Sequence, residues 1–227
     1  MNGLLSSSDT VSSSSRKWFI GSLTSREIRR RFWHMSPGLL PIILQAVPHA
    51  DPVSPTLRWI FMGVAAAIGL QILWGFRQIR RANESGGIAP VAGYALSVIM
   101  MLLLFPQHLE LAFALLAILA FGDGSATLFG LLIRSPRLPW NTGKSWSGLT
   151  AFIGIGSIMA AWIYSGESLN LEAADVSVSF LTALMLVTPA VVIAAIIESV
   201  DSRINDNIRV GVVGAIMLMV THMFRPM

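Results

Sequence analysis

One aspartate, one lysine and a small acidic cluster stand out in a chain that otherwise keeps charge away from its long apolar runs. Asp123 lies in Phe121-Gly122-Asp123-Gly124-Ser125-Ala126-Thr127-Leu128-Phe129-Gly130, directly behind the apolar run Leu109–Phe121. A carboxylate there is costly to keep in lipid, which marks a functional position by default. About 15 residues at ~1.5 Å each place it some 20 Å along its span. Flanking glycines remove bulk and let another backbone or a phosphate come close. The competing reading is a helix kink with a satisfied carboxylate, but a kink needs no aspartate.

The second feature is Trp140-Asn141-Thr142-Gly143-Lys144-Ser145-Trp146-Ser147-Gly148, just before another apolar run. Gly-Lys-Ser invites a Walker A reading, which fails: Leu138 stands where that motif needs glycine, and no strand is expected before it. What survives is a lysine with Ser145 and Ser147 at the start of a membrane helix. Free amide donors and the positive end of the helix dipole make such a start an anion site, and either serine suits the N-cap. The plainer alternative is a lysine that only sets topology. The third feature is Glu198-Ser199-Val200-Asp201-Ser202-Arg203-Ile204-Asn205-Asp206-Asn207. Carboxylates beside a phosphate site suit magnesium, which takes carboxylates together with substrate phosphates; a solvated loop is the alternative.

These groups must be positioned by membrane helices. Of 227 residues, 54% are hydrophobic and 12% charged, with a mean hydropathy of +0.67, whereas a soluble domain carries about 25% charged residues. That excludes a soluble globular enzyme and a disordered chain. It also excludes a nucleic-acid-binding module, despite an isoelectric point near 10.3. No cysteine is present, so there is no disulfide, thiolate nucleophile or zinc–thiolate site. Seven runs approach the ~20 apolar residues that cross a bilayer: Met35–Val47, Leu57–Phe76, Ile88–Phe105, Leu109–Leu132, Gly148–Tyr164, Val178–Ile197 and Ile208–Phe224. The first is short and interrupted by Pro37 and Pro41. The expected fold is an all-α polytopic bundle. Residues 1–25 form a serine-rich tail lacking the order of a signal peptide, with Trp18, Phe19 and Ile20 at the membrane surface. Residues 26–227 form a single transmembrane catalytic domain.

Basic residues remain cytoplasmic. With the N-terminus inside, the inner segments hold Arg16, Lys17, Arg26, Arg29, Arg30 and Arg31, then Arg77, Arg80 and Arg81, then Arg134, Arg137 and Lys144, then Arg203 and Arg209. That is fourteen of sixteen, leaving Arg58 and Arg225 outside, while the long outer loop carries Glu167, Glu172 and Asp175. The basic balance meets anionic headgroups, at about 1 kcal/mol per residue, so no nucleic acid partner is needed. Asp123, Lys144 and the Glu198–Asn207 loop then share the cytoplasmic face of an inner membrane, where soluble nucleotides are. Carboxylates for a metal, a lysine for phosphate and glycines for close approach describe phosphoryl or nucleotidyl transfer, with an acceptor arriving through the bilayer. His34 suits a base or a headgroup contact; His49, His108 and His222 fall at the outer side and make no metal cluster with it. Pro189 is expected to kink the sixth span, and Gly154, Gly156, Gly211 and Gly214 to permit helix packing.

The same residues resemble the polyprenol/dolichol kinase, phytol kinase and CTP-dependent diacylglycerol kinase group, relatives of the phosphatidate cytidylyltransferases. Arg30-Arg31-Phe32-Trp33-His34 resembles its basic pair followed by histidine, and Gly122-Asp123 through Gly130 its Gly-Asp segment. Lys144 through Ala151 resembles its Lys-Lys/Ser-Thr-x-Glu-Gly-Thr segment, and Glu198 with Asp206-Asn207 its terminal Glu and Asp-Asn. Ser147 stands where the family usually has glutamate, and Gly124 where a bulkier residue is common. The resemblance implies CTP-dependent phosphorylation of a lipid alcohol, with magnesium held by Asp123, Glu198 and Asp206. Catalytic roles fall to Asp123, Lys144 and His34, and nucleotide contacts to Gly122, Gly124, Ser125, Gly130, Lys144, Ser145, Gly148 and Asn207. A cytidylyltransferase making CDP-diacylglycerol is the second reading. A membrane transporter is the third, weakened by the absence of an internal repeat. A homodimer is left open.

Overall fold

Every residue from Leu109 to Gly122 is buried, and the other helices are arranged around that stretch. The computed structural model describes residues 24–46, 49–50, 54–79, 89–104, 106–170, 173 and 176–225. Nearly all of the serine-rich tail, Trp18, Phe19 and Ile20 included, lies outside them.

Helix α1 (Ser25–Met35) starts at Thr24, whose side chain accepts from the Glu27 amide. A 3-10 turn (Ser36–Gly38) and a six-residue helix α2 (Leu39–Leu44) follow. The first expected span is therefore broken, and Pro37 enters the turn at its start, where a missing N–H costs little. Helices α3 (Pro55–Ile79) and α4 (Ala89–Leu104) flank the bundle. The central rod is continuous: α5 (Leu109–Ala117), a π-helical turn (Ile118–Gly122) and α6 (Asp123–Leu132). A two-stranded antiparallel hairpin, β1 (Arg137–Leu138) and β2 (Asn141–Ser145), leads into α7 (Trp146–Ser168). Helices α8 (Phe180–Ser199) and α9 (Asp206–His222) complete the chain.

Among the described residues, three helical runs are long and apolar enough to cross a membrane: Leu109–Leu132, Trp146–Ser168 and Phe180–Ser199. Their outward faces carry Ile158, Trp162, Leu181, Met185, Ile193 and Ile196 exposed. A helix that keeps such residues on its outer surface is suited to lipid rather than water. The molecule is thus a largely helical membrane protein. The hairpin departs from a purely helical expectation. Its strands are too short to show an alternating pattern in sequence.

Small residues let the helices approach. A Cβ on Gly156 would sit 3.3 Å from the Cα of Gly122, one on Gly214 would meet Leu115 at 3.0 Å, and one on Gly211 would collide with Ser97. Gly154 differs, because a Cβ there meets nothing within 4 Å. Its expected packing role is not supported. Helix α8 runs through Pro189 without ending, as membrane helices tolerate.

Candidate active site

Lys144, the fourth residue of β2, joins three distant parts of the chain. Its ammonium donates to Glu198, at the end of α8, and lies 3.3 Å from Asp206, at the start of α9. The hairpin is fastened to the same place by two further bonds. Trp140 Nε1 donates to Ser199 Oγ at 3.0 Å, and Asn141 Nδ2 donates to the Ser199 carbonyl at 3.0 Å. Exposure differs sharply among the charged groups: the Glu198 side chain is 5% exposed, Lys144 32% and Asp206 42%. The cluster is rooted in the protein and open at one side.

Burial lowers the pKa of Lys144, but the Glu198 carboxylate, its hydrogen bond, and the nearby charges of Asp206 and Asp123 outweigh that effect. The result lies above the ordinary lysine value. The ammonium is therefore charged throughout the physiological range.

Asp123 is the first residue after the π turn. That turn holds an extra residue, so everything after it is rotated by roughly 100° relative to an unbroken helix. Asp123 Oδ2 lies 3.0 Å from His34 Nε2, in the last turn of α1. Arg31 and Lys144 are both close enough to act on it electrostatically. Thus His34, which a sequence reading leaves equally open to a surface role, belongs to the cluster. Glu27 holds Arg30 and Arg31 at 3.3 and 3.4 Å on the same helix.

Other expected site residues have structural work. The Ser125 hydroxyl donates to the carbonyls of Gly122 and Ala151, at 2.9 and 3.2 Å. Ser145 rather than Ser147 caps α7, accepting from the Gly148 amide at 3.3 Å. Ser147 instead ties Ser135 and the end of α6, accepting from the Ser135 hydroxyl and donating toward the Phe129 and Ile133 carbonyls. The glycines approach helices: a Cβ on Gly122 meets Phe152 at 2.8 Å, one on Gly148 meets the Ala126 carbonyl at 2.8 Å, and one on Gly130 meets Ser145 Oγ at 3.1 Å. One on Gly124 would collide with Met35. Their tight spacing is accounted for by packing of α1, α6 and α7. Asn207 is buried in the first turn of α9, its amide donating to the Asn205 cap at 3.0 Å.

Arg209 was legible in sequence only as a topogenic charge. Its guanidinium donates to the carbonyls of Ile197, Val200 and Ile204, at 2.8, 2.9 and 3.2 Å, and also to Asp206. It thereby holds the loop that carries Glu198 and Asp206. The available signal was its i,i+3 spacing from Asp206 at a helix start. Trp140 and Asn141 had no such signal, since their partner is 59 and 58 residues away.

The fold and the cluster define a helical membrane protein with a lysine–carboxylate centre at one end of its bundle. The chain is similar to Phytol kinase 1, chloroplastic, of Arabidopsis thaliana, 24% identical over 207 residues, covering 83% of this chain and 66% of the relative. It is also similar to Probable phytol kinase 2, chloroplastic, of Oryza sativa subsp. japonica, 22% identical over 195 residues, covering 82% and 63%. The chain spans about two thirds of the length of these curated relatives. The resemblance to the lipid-kinase group carried by the motifs is borne out along most of the chain. Neither a family model nor a solved structure matches it.

Proposed function

We propose that the chain transfers the γ-phosphoryl group of CTP to the hydroxyl of a membrane lipid alcohol, at the cytoplasmic face of the membrane. The observation that supports this most directly is the meeting of Lys144 with Glu198 and Asp206, with Asp123 and His34 beside them. Motifs separated by 54 and 62 residues converge on one partly open cluster, and the similarity to phytol kinases supports phosphorylation of a lipid alcohol.

In this reading Lys144 binds the triphosphate as a compact, fully charged group. Asp123 orients His34, and the ring accepts the proton of the attacking hydroxyl. A new oxygen–phosphorus bond forms as the bond to the bridging oxygen breaks, and CDP leaves. Trp140, Asn141 and Arg209 keep the hairpin, the end of α8 and the start of α9 together during the transfer. Asp123, Glu198 and Asp206 supply hard oxygen donors of the kind magnesium prefers, and they would hold it. When bound, it would supply positive charge against the charge developing on the transferred phosphoryl group. The apolar outer faces of α7 and α8 leave the acceptor free to approach from lipid.

The test uses purified protein with γ-labelled CTP and a panel of prenols, phytol, diacylglycerol and phosphatidic acid. Label should pass to an alcohol with release of CDP, and magnesium should be required. Pyrophosphate release with phosphatidic acid replaces this reading with nucleotidyl transfer, and no transfer to any acceptor ends it. The face is tested separately. A cysteine at Ser202 should resist an impermeant thiol reagent in intact cells while one at Ser177 is labelled; the reverse pattern removes the site from the cytoplasm.

A further inference from the structure

At the other end of the bundle, two histidines and a glutamate come together that nothing above assigns to a function. His108 and Glu110 lie at the start of α5, and His222 in the last turn of α9. Asp206 begins α9 beside Lys144, so 17 residues at about 1.5 Å each separate the two clusters by roughly 24 Å. One ligand atom from each of His108, Glu110 and His222 lies within 4.8 Å of the others. His108 Nδ1 is 3.3 Å from Glu110 Oε1, and His222 Nδ1 is 4.0 Å from it.

We propose that His108, Glu110 and His222 form a binding site for a divalent transition-metal ion, zinc fitting best, remote from the Lys144 cluster. Two imidazoles and one carboxylate are a ligand set that zinc accepts, at about 2.0–2.2 Å from each atom, which places tetrahedral ligands roughly 3.4 Å apart. The His108–Glu110 pair already matches that spacing. The His222 contact closes by about half an ångström. Magnesium and calcium are poor candidates, because they favour oxygen donors alone.

The surroundings shape the ligands. Tyr164 Oη lies 2.7 Å from His222 Nδ1, the same nitrogen that faces Glu110, so the hydroxyl holds the ring in place and gives up that contact when a metal binds. The two imidazoles meet edge to face, with centroids 4.7 Å apart and planes at 62°, so their nitrogens are free of a flat stack. Glu110 is 5% exposed, His222 15% and His108 27%, a gradient that leaves one ligand accessible at the rim and anchors the carboxylate inside. Arg225 NH1 lies 3.4 Å from Glu110 Oε1. The guanidinium balances the buried charge and competes with a metal for the same oxygen.

The test uses the full chain in detergent, stripped with a chelator and titrated with Zn2+ and Co2+. One ion per chain should bind, and Co2+ should show the visible bands of mixed nitrogen and oxygen ligation. His108→Gln and His222→Gln should each weaken affinity at least about a hundredfold, and Tyr164→Phe, which frees His222 Nδ1, should not weaken it. Arg225→Gln should tighten binding. Lys144→Ala should bind the metal as the unaltered chain does, so the outcome is independent of the proposed phosphoryl transfer. A Co2+ spectrum of purely oxygen ligation in the unaltered chain overturns the proposal whether or not the variants fold. So does a failure of either ion to bind stoichiometrically, or unchanged affinity in both histidine variants.

Discussion

The two ends of the bundle are both polar, and they are polar in different ways. At the Lys144 end, charge is presented on a hairpin and on helix ends, and Asp206 is 42% exposed. At the opposite end, Glu167 is 2% exposed and pairs with His49 at 2.7 Å, while Asn170 donates to the His49 carbonyl and Ser168 bonds the adjoining backbone. The second arrangement fastens loops. The first leaves charge where a soluble ligand can reach it. A buried histidine–glutamate contact and an open ion pair therefore report different duties, and substitution should separate them.

The largest effect is expected at the open end. Asp123→Asn should abolish most transfer activity while the protein still inserts, because the site loses a carboxylate next to His34. Activity near normal, measured per inserted molecule, would make Asp123 a structural residue at the start of α6. Lys144→Ala should cost roughly a hundredfold in turnover, by analogy with a lost transition-state donor worth about 3–4 kcal/mol. Lys144→Arg should recover only part of it, since a planar guanidinium does not replace a compact point charge. Full recovery with arginine would show that charge alone matters.

The buried His49–Glu167 contact should answer in stability instead. His49→Ala removes the hydrogen-bond partner of the buried Glu167 carboxyl, a change that typically costs about 1–3 kcal/mol. Thermal unfolding in detergent should detect that loss, with turnover per folded molecule retained. A fall in turnover equal to that of Lys144→Ala would erase the distinction between the ends. The smallest effects should come from glycines. Gly148→Ala drives a Cβ to 2.8 Å from the Ala126 carbonyl, an overpacking that costs about 1–3 kcal/mol. Gly154→Ala meets open space and should be neutral or stabilising by up to ~1 kcal/mol. Equal destabilisation by the two would mean that α6 and α7 do not cross as closely as described.

Much of the candidate site was legible because its residue types are costly where they stand. Asp123 behind an apolar run, Lys144 at a helix start and the carboxylates of Glu198 and Asp206 each break a local rule of composition. His34 was not legible in the same way, since a histidine beside three arginines also fits a surface. Only the 3.0 Å contact with Asp123 decides its place. The π turn left no mark on residues 118–122, whose types suit an ordinary helix. From sequence, Gly122 is expected to let a backbone or a phosphate come close and Gly148 to contact a nucleotide; what lies against them is the Phe152 ring and the Ala126 carbonyl.

Hydropathy and charge order are properties of the chain itself, so the membrane class and the largely helical fold could be read without coordinates: every buried backbone group in lipid must find its partner locally. Cap residues behave similarly, and Ser145, Ser179 and Asn205 sit where short polar side chains reach the free amides of a helix start. Long-range pairing has no such local cause. Lys144 meets Glu198 and Asp206, and His108 meets His222, only because α5 and α9 pack side by side and the hairpin folds back onto the end of α8. Those contacts follow from how helix surfaces interlock, and no single segment carries that information.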